Sequence, residues 1–515
     1  MKRQMRTRTV QGLLGIAAVG ALALTACSGG GGDAGGSGSG GGGPLVVGVT
    51  TDIDTLVPWT ATQFQSVNVL QNLYGTLTEL DDDLTVVPGL AESWETSDDG
   101  LTVTFKLRPD VTFADGSEFD SADVIASYEA IQDESTAAVS AANLSSVTKM
   151  TAPDPTTVEM TLSAPDAALV SKLAVITMAI LPSDVDLAAI EKTPNGTGAF
   201  TLESRTPNES LTLAANEKYW DGAPKVDEVE FRVIPDSSAI VSALQAGNVQ
   251  MAVFDDKLVA DTIGGSVKVE ETPQLSYHAL QLNANKAPLD NVDVRLAIAC
   301  AIDRQEVLDS AALGAGEVTG PITSPAFRSD PDARPCPTVD LDQAKKHLAD
   351  AGKADGLTLN AIVMQDGYST AVAEAENLQA QLKKVGITLN IEPLESGAYV
   401  DRWVAGDFEL AVALNGGQPD PDTMYGRYFT STGNLNAVAG YSSDSLDALF
   451  AKGRSELDEK ARVKIYNDVA AELEDNAAWV WLFTGYSYTA LADGVSGFTP
   501  LANGSLENLR NVTVK

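Results

Sequence analysis

Histidine and cysteine are both scarce in this chain of 515 residues. The histidines are His278 and His347, and the cysteines stand at positions 27, 300 and 336. Such wide spacing provides neither a helical His pair nor a Cys cluster of the kind that holds zinc or copper. We therefore expect no metal site and no cofactor, and we interpret both histidines as surface or structural residues.

Basic residues are also few. The chain has 34 Lys and Arg against 71 Asp and Glu, a net charge of −37 at pH 7. A surface of this sign repels nucleic acid and anionic lipid headgroups, so neither is expected as a partner. The negative charge favours cationic or neutral ligands, although we interpret most of the acidic residues as part of an ordinary solvated surface.

Motifs of nucleophilic and nucleotide chemistry are missing. The sequence contains no nucleophile elbow, no Walker loop and no full dinucleotide fingerprint. Gly314, Gly316 and Gly320 only approximate a glycine-rich loop and fit a turn after a helix. No catalytic residue is predicted, and a secreted hydrolase or signalling lipoprotein is the minor alternative.

The apolar run from about residue 13 to 24 is too short to span a bilayer. It follows a basic start and ends in Leu24, Thr25, Ala26 and Cys27, the pattern of a bacterial lipobox. We predict a lipoprotein signal peptide over 1–26, with Cys27 lipidated and anchored at the outer face of the cell membrane. An ordinary signal peptide before a cysteine is the alternative. Residues 27–43, rich in Gly and Ser, predict a flexible tether.

From residue 44 onward the patterns predict an α/β protein. Residues 45–49 indicate a buried strand, and 101–107 alternate apolar and polar side chains as a half-buried strand does. Residues 357–391 combine strand, helix and strand periodicity and predict a parallel βαβ unit. Asp340 is predicted to cap a helix through the amide of Gln343.

Cys300 and Cys336 remain after lipidation of Cys27. Outside the cytoplasm an isolated pair of cysteines is more often joined than free. We predict a disulfide between them, with two separately buried thiols as the alternative.

Several motifs together carry a family resemblance. The run from Pro88 to Tyr128 resembles the signature of family 5 extracellular solute-binding proteins, the peptide, oligopeptide and nickel receptors of bacterial ABC importers. The resemblance continues, in order, through TGAF at 197–200, NEKYWDG at 216–222, VRLAIACAIDR at 294–304 and LDQAKKHLADAG at 341–352. It therefore covers nearly the whole chain after the tether.

The resemblance implies a two-lobed periplasmic-binding-protein fold of type II with an inserted subdomain. It places lobe I at 44–72, 187–275 and 486–515, the inserted subdomain at 73–186, and lobe II at 276–485. Hinges are expected near Pro273 and Gly485, where closure would rotate one rigid body against the other. The implied function is capture of a peptide or peptide-like solute by a monomer that delivers it to the permease subunits of an ABC importer.

The same resemblance implies a ligand-contacting loop that starts at Asn415 and includes Gln418 and Asp420, with Tyr425 after it. In peptide-binding members an aspartate just before this turn holds the α-ammonium of the peptide, and here Gly417 occupies that position. This departure favours the alternative of an oligosaccharide or other non-peptide solute. Asp420 or Asp422 could replace the missing carboxylate, or both could belong to a Pro-bounded turn.

Aromatic side chains are the second class of candidates, since they offer rigid surfaces for stacking. Trp59 and Phe64 follow the first strand, while Trp403, Tyr425 and Trp481 lie in the predicted lobe II. Core packing is the alternative for each of them.

Overall fold

The computed structural model describes residues 43–365 and 368–515. The predicted signal peptide, Cys27 and all of the tether except Gly43 lie outside the described residues. The strands are β1 Leu45–Val49, β2 Thr78–Leu80, β3 Val86–Pro88, β4 Ala91–Thr96, β5 Thr102–Leu107, β6 Val147–Asp154, β7 Thr157–Leu162, β8 Phe200–Thr206, β9 Ser210–Ala215, β10 Glu228–Val233, β11 Met251–Phe254, β12 Lys268–Pro273, β13 Tyr277–Leu282, β14 Gly316–Val318, β15 Leu357–Met364, β16 Ile387–Leu394, β17 Leu410–Asn415, β18 Trp479–Leu491, β19 Val495–Ser496 and β20 Thr513–Val514.

Most helices are short and lie between these strands. They are α1 Phe64–Leu73, α2 Ser121–Gln132, α3 Leu169–Lys172, α4 Leu187–Ile190, α5 Ser237–Gln245, α6 Lys257–Ala260, α7 Val292–Ala301, α8 Arg304–Ala311, α9 Leu341–Asp350, α10 Ala371–Lys383, α11 Ser396–Val404, α12 Arg427–Phe429, α13 Asn436–Ala439, α14 Asp444–Ser455 and α15 Glu459–Asp475. No helix within the described ranges combines the length and the apolar composition that crossing a bilayer requires.

The main sheet consists of two half-sheets that share the long strand β18. Its order is β16-β15-β17-β13-β18-β11-β1-β10-β9-β8, and β12 and β14 also pair with β18. Strands β8 to β12 and β1 belong to segments that we assigned to lobe I, and β13 to β17 belong to the lobe II segment. We keep these names for the two halves, and the exact boundaries stay a prediction.

The centre of the lobe I half-sheet is β1, which pairs in parallel with β10 and β11. All five of its residues are buried because helices and loops cover both faces of the strand. Beside it, the inserted segment forms a separate antiparallel sheet of order β4-β5-β7-β6. Within β5, Val103, Phe105 and Leu107 are buried and the alternate side chains are not, which confirms the predicted period of two. These side chains join the same apolar core as β1.

The lobe II half-sheet contains the predicted βαβ unit. Strands β15 and β16 are parallel over eight residue pairs, and α10 connects them, as predicted. Asp340 accepts a hydrogen bond from the Gln343 amide at 2.9 Å, so the predicted helix cap is confirmed. A disulfide joins Cys300 in α7 to Cys336, just ahead of that cap.

The chain passes between the lobes at two adjacent places. One is the short link from β12 to β13, residues 274–276, and the other lies inside β18 near Gly485. The Gln274 amide donates to the Gly485 carbonyl at 2.9 Å, and Thr484 Oγ1 donates to the Ser276 carbonyl at 2.7 Å. Both predicted hinge positions lie at this double crossing, and the rotation about it stays a prediction.

Candidate functional site

A cleft of about 570 Å³ opens beside the double crossing. Its floor is the carboxyl end of β1, and its sides come from both lobes. In open α/β sheets, ligands bind outside the carboxyl ends of the strands, so this position is the expected one for a ligand. The lining residues are Val47, Gly48, Val49, Thr50, Thr51, Gln63, Phe64, Gln65, Asn68, Ile240, Val253, Asp255, Gln274, Leu275, Ser276, Gly416, Gly417, Ser487, Ala502, Asn503, Gly504 and Leu506.

The first turn of α1 supplies the most open apolar side chain of the cleft. Phe64 begins this helix and is 59% exposed, while its ring edge approaches Gly504. One turn later, Asn68 is only 4% exposed, and its Oδ1 atom has no hydrogen-bond partner among the described residues. Gln65 Nε2 is likewise buried without a described partner. An unmet buried polar atom costs free energy, so these amides are suited to binding a polar ligand.

Asp255 follows β11 and brings a carboxylate to the lobe I wall. Its Oδ1 accepts a hydrogen bond from Gln274 Nε2 at 2.8 Å, and Gln274 Oε1 accepts one from Ser276 Oγ at 3.1 Å. These bonds fix the carboxylate from the interlobe link. The side chain is exposed to the solvent of the cleft, yet the surrounding walls remove enough water to raise the pKa of Asp255, an effect that the Gln274 hydrogen bond opposes.

On the lobe II wall, the predicted loop contributes backbone and no side chain. Gly416 and Gly417 line the cleft directly after β17. A Cβ atom at residue 417 would overlap the Leu275 carbonyl, whereas one at residue 416 would meet no described heavy atom within 4 Å. Glycine at 417 therefore lets the loop approach the interlobe link closely, and an aspartate could not occupy this position without moving the loop.

The carboxylates of Asp420 and Asp422 do not reach this cleft. Asp420 is 3% exposed and makes a bidentate ion pair with Arg462, with atoms 2.5 and 3.0 Å apart. Asp422 accepts a hydrogen bond from Arg454 Nε at 2.8 Å. Burial raises the pKa of Asp422, and Arg454 opposes that rise. In place of the expected ligand contacts, the structure shows two acids already neutralised by arginines of α14 and α15.

The large aromatic candidates of lobe II lie in its core. Tyr425 and Trp481 are completely buried, and Trp481 Nε1 donates to the Tyr425 hydroxyl at 2.9 Å. Trp403 is half-buried, and its Nε1 donates to Gln281 Oε1 at 2.6 Å. The amide of that Gln281 also donates to Asn415 Oδ1 at 3.3 Å. None of these side chains lines the cleft, because they cover the face of β13 and β17 that packs against α11 to α15.

Two further candidates also lie away from the cleft lining. Trp59 is 1% exposed, and its indole nitrogen donates to the Ala179 carbonyl at 2.8 Å. Its large apolar surface fills the core between lobe I and the inserted subdomain. Gln418 is half-buried next to the two lining glycines without itself lining the cleft. Of the side chains selected from sequence, the structure brings only Phe64 into the cleft.

The sequence patterns did not point to three of the lining side chains, those of Asp255, Asn68 and Gln65. Asp255 had a usable signal, since it directly follows the apolar strand run 251–254 at the edge of the sheet where ligands bind. The two amides had none, because polar residues on an amphipathic helix are ordinarily solvent-facing.

Two other features of the structure resemble binding sites. A cavity of about 330 Å³ lies between the inserted subdomain and lobe II, and its wall includes the Asp420–Arg462 pair.

Three side chains lie close enough together to hold a metal ion, those of Asp293, His347 and Asp350. However, His347 Nδ1 and Asp293 Oδ1 already lie 2.8 Å apart, and Lys346 binds Asp350. Within the described ranges, only the cleft at the double crossing combines both lobes, strand ends and buried amides without described partners.

Comparison with known proteins identifies relatives over nearly the whole chain. Residues 85–436 match the model of bacterial extracellular solute-binding proteins, family 5. The dipeptide-binding protein of Escherichia coli K12 is 27% identical over 474 residues, covering 85% of this chain and 88% of that protein. Heme-binding protein A of Haemophilus influenzae is 27% identical over 467 residues, covering 83% and 84%.

A solved structure gives the same result for the fold. HbpA2 from Haemophilus parasuis superposes with a TM-score of 0.84 at 24% identity, covering 92% of this chain and 100% of that one. At this identity the likeness concerns the fold, which is that of a type II periplasmic binding protein.

Proposed function

This chain belongs to the family 5 bacterial extracellular solute-binding proteins and is not an enzyme; on that premise, we propose that it captures a peptide or peptide-like solute between its lobes and delivers it to the permease of an ABC importer. The observation that carries this proposal is the cleft at the double crossing, with one wall from each lobe. A ligand that contacts both walls stabilises the closed arrangement by its differential affinity for it.

We assign ligand contacts to residues that line this cleft. Phe64 offers an apolar ring, and Asn68 and Gln65 offer amide groups from the same helix turn. Gly416 and Gly417 offer backbone from the opposite wall. A peptide backbone is a row of amide donors and acceptors, so it can satisfy such groups while its side chains contact the apolar ring.

A non-peptide solute is the second candidate. Gly417 stands where peptide-binding members carry an aspartate, and it packs too closely against Leu275 for any side chain. The dipeptide-binding and heme-binding relatives are both 27% identical to this chain, so overall similarity does not choose between their ligands.

We further propose that the protein acts as a monomer moored outside the cell by a lipid on Cys27. The lipobox-like sequence before Cys27 supports the anchor, and the glycine-rich tether would let the folded part reorient towards a permease. Metabolic labelling with a fatty acid should mark the wild type and leave Cys27→Ser unlabelled. Equal labelling of both would remove the anchor from the proposal.

Thermal unfolding with a panel of short peptides and sugars tests the capture function. A ligand at about a hundred times its Kd stabilises the folded state by about 2.7 kcal/mol. Phe64→Ala should reduce the stabilisation by a bound peptide, because it removes the exposed ring of the cleft. Leu258→Ala is the matched control, since Leu258 is 61% exposed and does not line the cleft. Equal affinity in both variants contradicts the site, and turnover of the ligand contradicts the function.

A further inference from the structure

Asp255 is the only charged side chain among the described residues that line the cleft. The remaining lining groups are hydroxyls, amides, backbone and apolar side chains. Within the described ranges, no Lys, Arg or His nitrogen lies within 4.0 Å of the Asp255 carboxylate, whose one described partner is the neutral Gln274. The cleft therefore offers a single negative charge that no cation neutralises.

Arg205, a basic residue near the floor of the cleft, is already paired. Arg205 donates to Asp52 at 3.1 Å and to the Ile53 carbonyl at 3.0 Å, just beyond the lining residues Thr50 and Thr51. It does not line the cavity itself. A ligand carboxylate in the cleft would lose water without gaining a cation, which is unfavourable.

From this geometry we propose that the cleft selects a solute whose enclosed part carries a positive charge, an ammonium or guanidinium, and no anionic group. This inference rests on the proposed function, since it assumes that the cleft is where the solute binds. Asp255 pairs with the cation, since it lines the cavity and the hydrogen bond from Gln274 holds its carboxylate in place. Asn68 and Gln65 bind the neutral polar body, and the Phe64 ring can also attract a cation through its face.

The net charge of the chain agrees with this selectivity. The whole chain has a net charge of −37, so its long-range field attracts cations and repels anions.

Four derivatives of one peptide test the proposal by isothermal titration. Dileucine amide has charge +1, dileucine is a zwitterion, acetyl-dileucine amide is neutral and acetyl-dileucine has charge −1, while the side chains stay the same. We expect the amide to bind tightest and acetyl-dileucine weakest. Asp255→Asn should weaken binding of dileucine amide about tenfold or more, because close opposite charges couple strongly in binding sites. Asp255→Glu should keep the preference for the cation.

Glu203→Gln is the matched control, since it removes one negative charge from an exposed position on β8 that does not line the cleft. If the four derivatives bind equally well, or if Asp255→Asn and Glu203→Gln behave alike, the charge selectivity is overturned while the cleft can still be the binding site. If none of the four binds, the proposed capture of peptides fails, and the inference falls with it.

Discussion

The acids on the two sides of the cleft have different partners, although only Asp255 lines it. On the lobe II side, Asp420 and Asp422 form ion pairs with Arg462 and Arg454. On the lobe I side, Asp255 has a neutral partner and faces the solvent of the cleft. The chain has a net charge of −37, so the number of carboxylates near a site does not define its charge. Arginines from distant helices decide which carboxylates remain available to a ligand.

The walls also differ in what they offer to a solute. Lobe I contributes side chains, among them Phe64 and Asp255, whereas lobe II contributes the backbone of Gly416 and Gly417, apart from Ser276 of the interlobe link. Backbone can bind amides of almost any sequence, while side chains distinguish charge and shape. We infer that specificity resides mainly in lobe I and that lobe II mainly closes the site.

The ion pair between Asp420 and Arg462 is expected to be essential for the stability of lobe II. Arg462→Met would leave a buried carboxylate without its cation, and loss of one partner of a buried pair costs about 3–5 kcal/mol. Urea unfolding should show this loss as a lower midpoint. Lys464→Met on the same helix is the control, because Lys464 pairs with Asp468 on the surface at 3.0 Å. Such an exposed pair contributes only about 0.3–0.5 kcal/mol. Similar losses in the two variants would show that Asp420 is not held structurally.

The backbone character of the lobe II wall gives the next largest effect. Gly417→Ala places a methyl group against the Leu275 carbonyl, and overpacking of this kind costs about 1–3 kcal/mol. We expect a lower unfolding midpoint and weaker binding of any ligand that needs the closed lobes. Gly416→Ala should leave the unfolding midpoint nearly unchanged, since its methyl group meets no described heavy atom within 4 Å. Equal effects of the two substitutions would contradict the close approach at residue 417.

Most of the fold could be predicted because local periodicity determines it. The alternation in 101–107, the βαβ unit of 357–391 and the Asp340 cap all depend on residues near one another in sequence. The family motifs supplied the remaining topology.

The candidate site was much less predictable, since it depends on partners that are far apart. In the sequence, Asp420 resembles a ligand-binding group, because its partner Arg462 lies 42 residues later in the chain. Trp59 looks like a loop aromatic until Ala179, 120 residues away, accepts its indole hydrogen bond. Asp255 differs, because no cation from the described ranges lies within 4.0 Å of its carboxylate. This carboxylate is therefore available to a ligand.

A second acid of lobe I, Glu507, makes the stability of the fold depend on pH. It directly follows Leu506, which lines the cleft, and it lies near Glu79 and Arg510. Burial raises the pKa of Glu507 to about 8 from an ordinary 4.5; Glu79 adds to the rise and Arg510 opposes it. Between pH 4.5 and about pH 8, Glu507 therefore keeps its proton in the folded state and loses it in the unfolded state. The stabilisation from this group is complete below about pH 4.5 and is lost as the pH rises through about 8.

Glu507→Gln keeps the shape and removes this titration, so it should lose less stability than the wild type between pH 5.5 and pH 9. Glu507 is only half-buried, so we expect a difference of about one pKa unit, or about 1.4 kcal/mol, in urea unfolding. Glu129→Gln on the exposed face of α2 should follow the wild type. If Glu507→Gln also follows it, then Arg510 neutralises Glu507 as fully as Arg462 neutralises Asp420. The contrast between the lobes would then be confined to Asp255 itself.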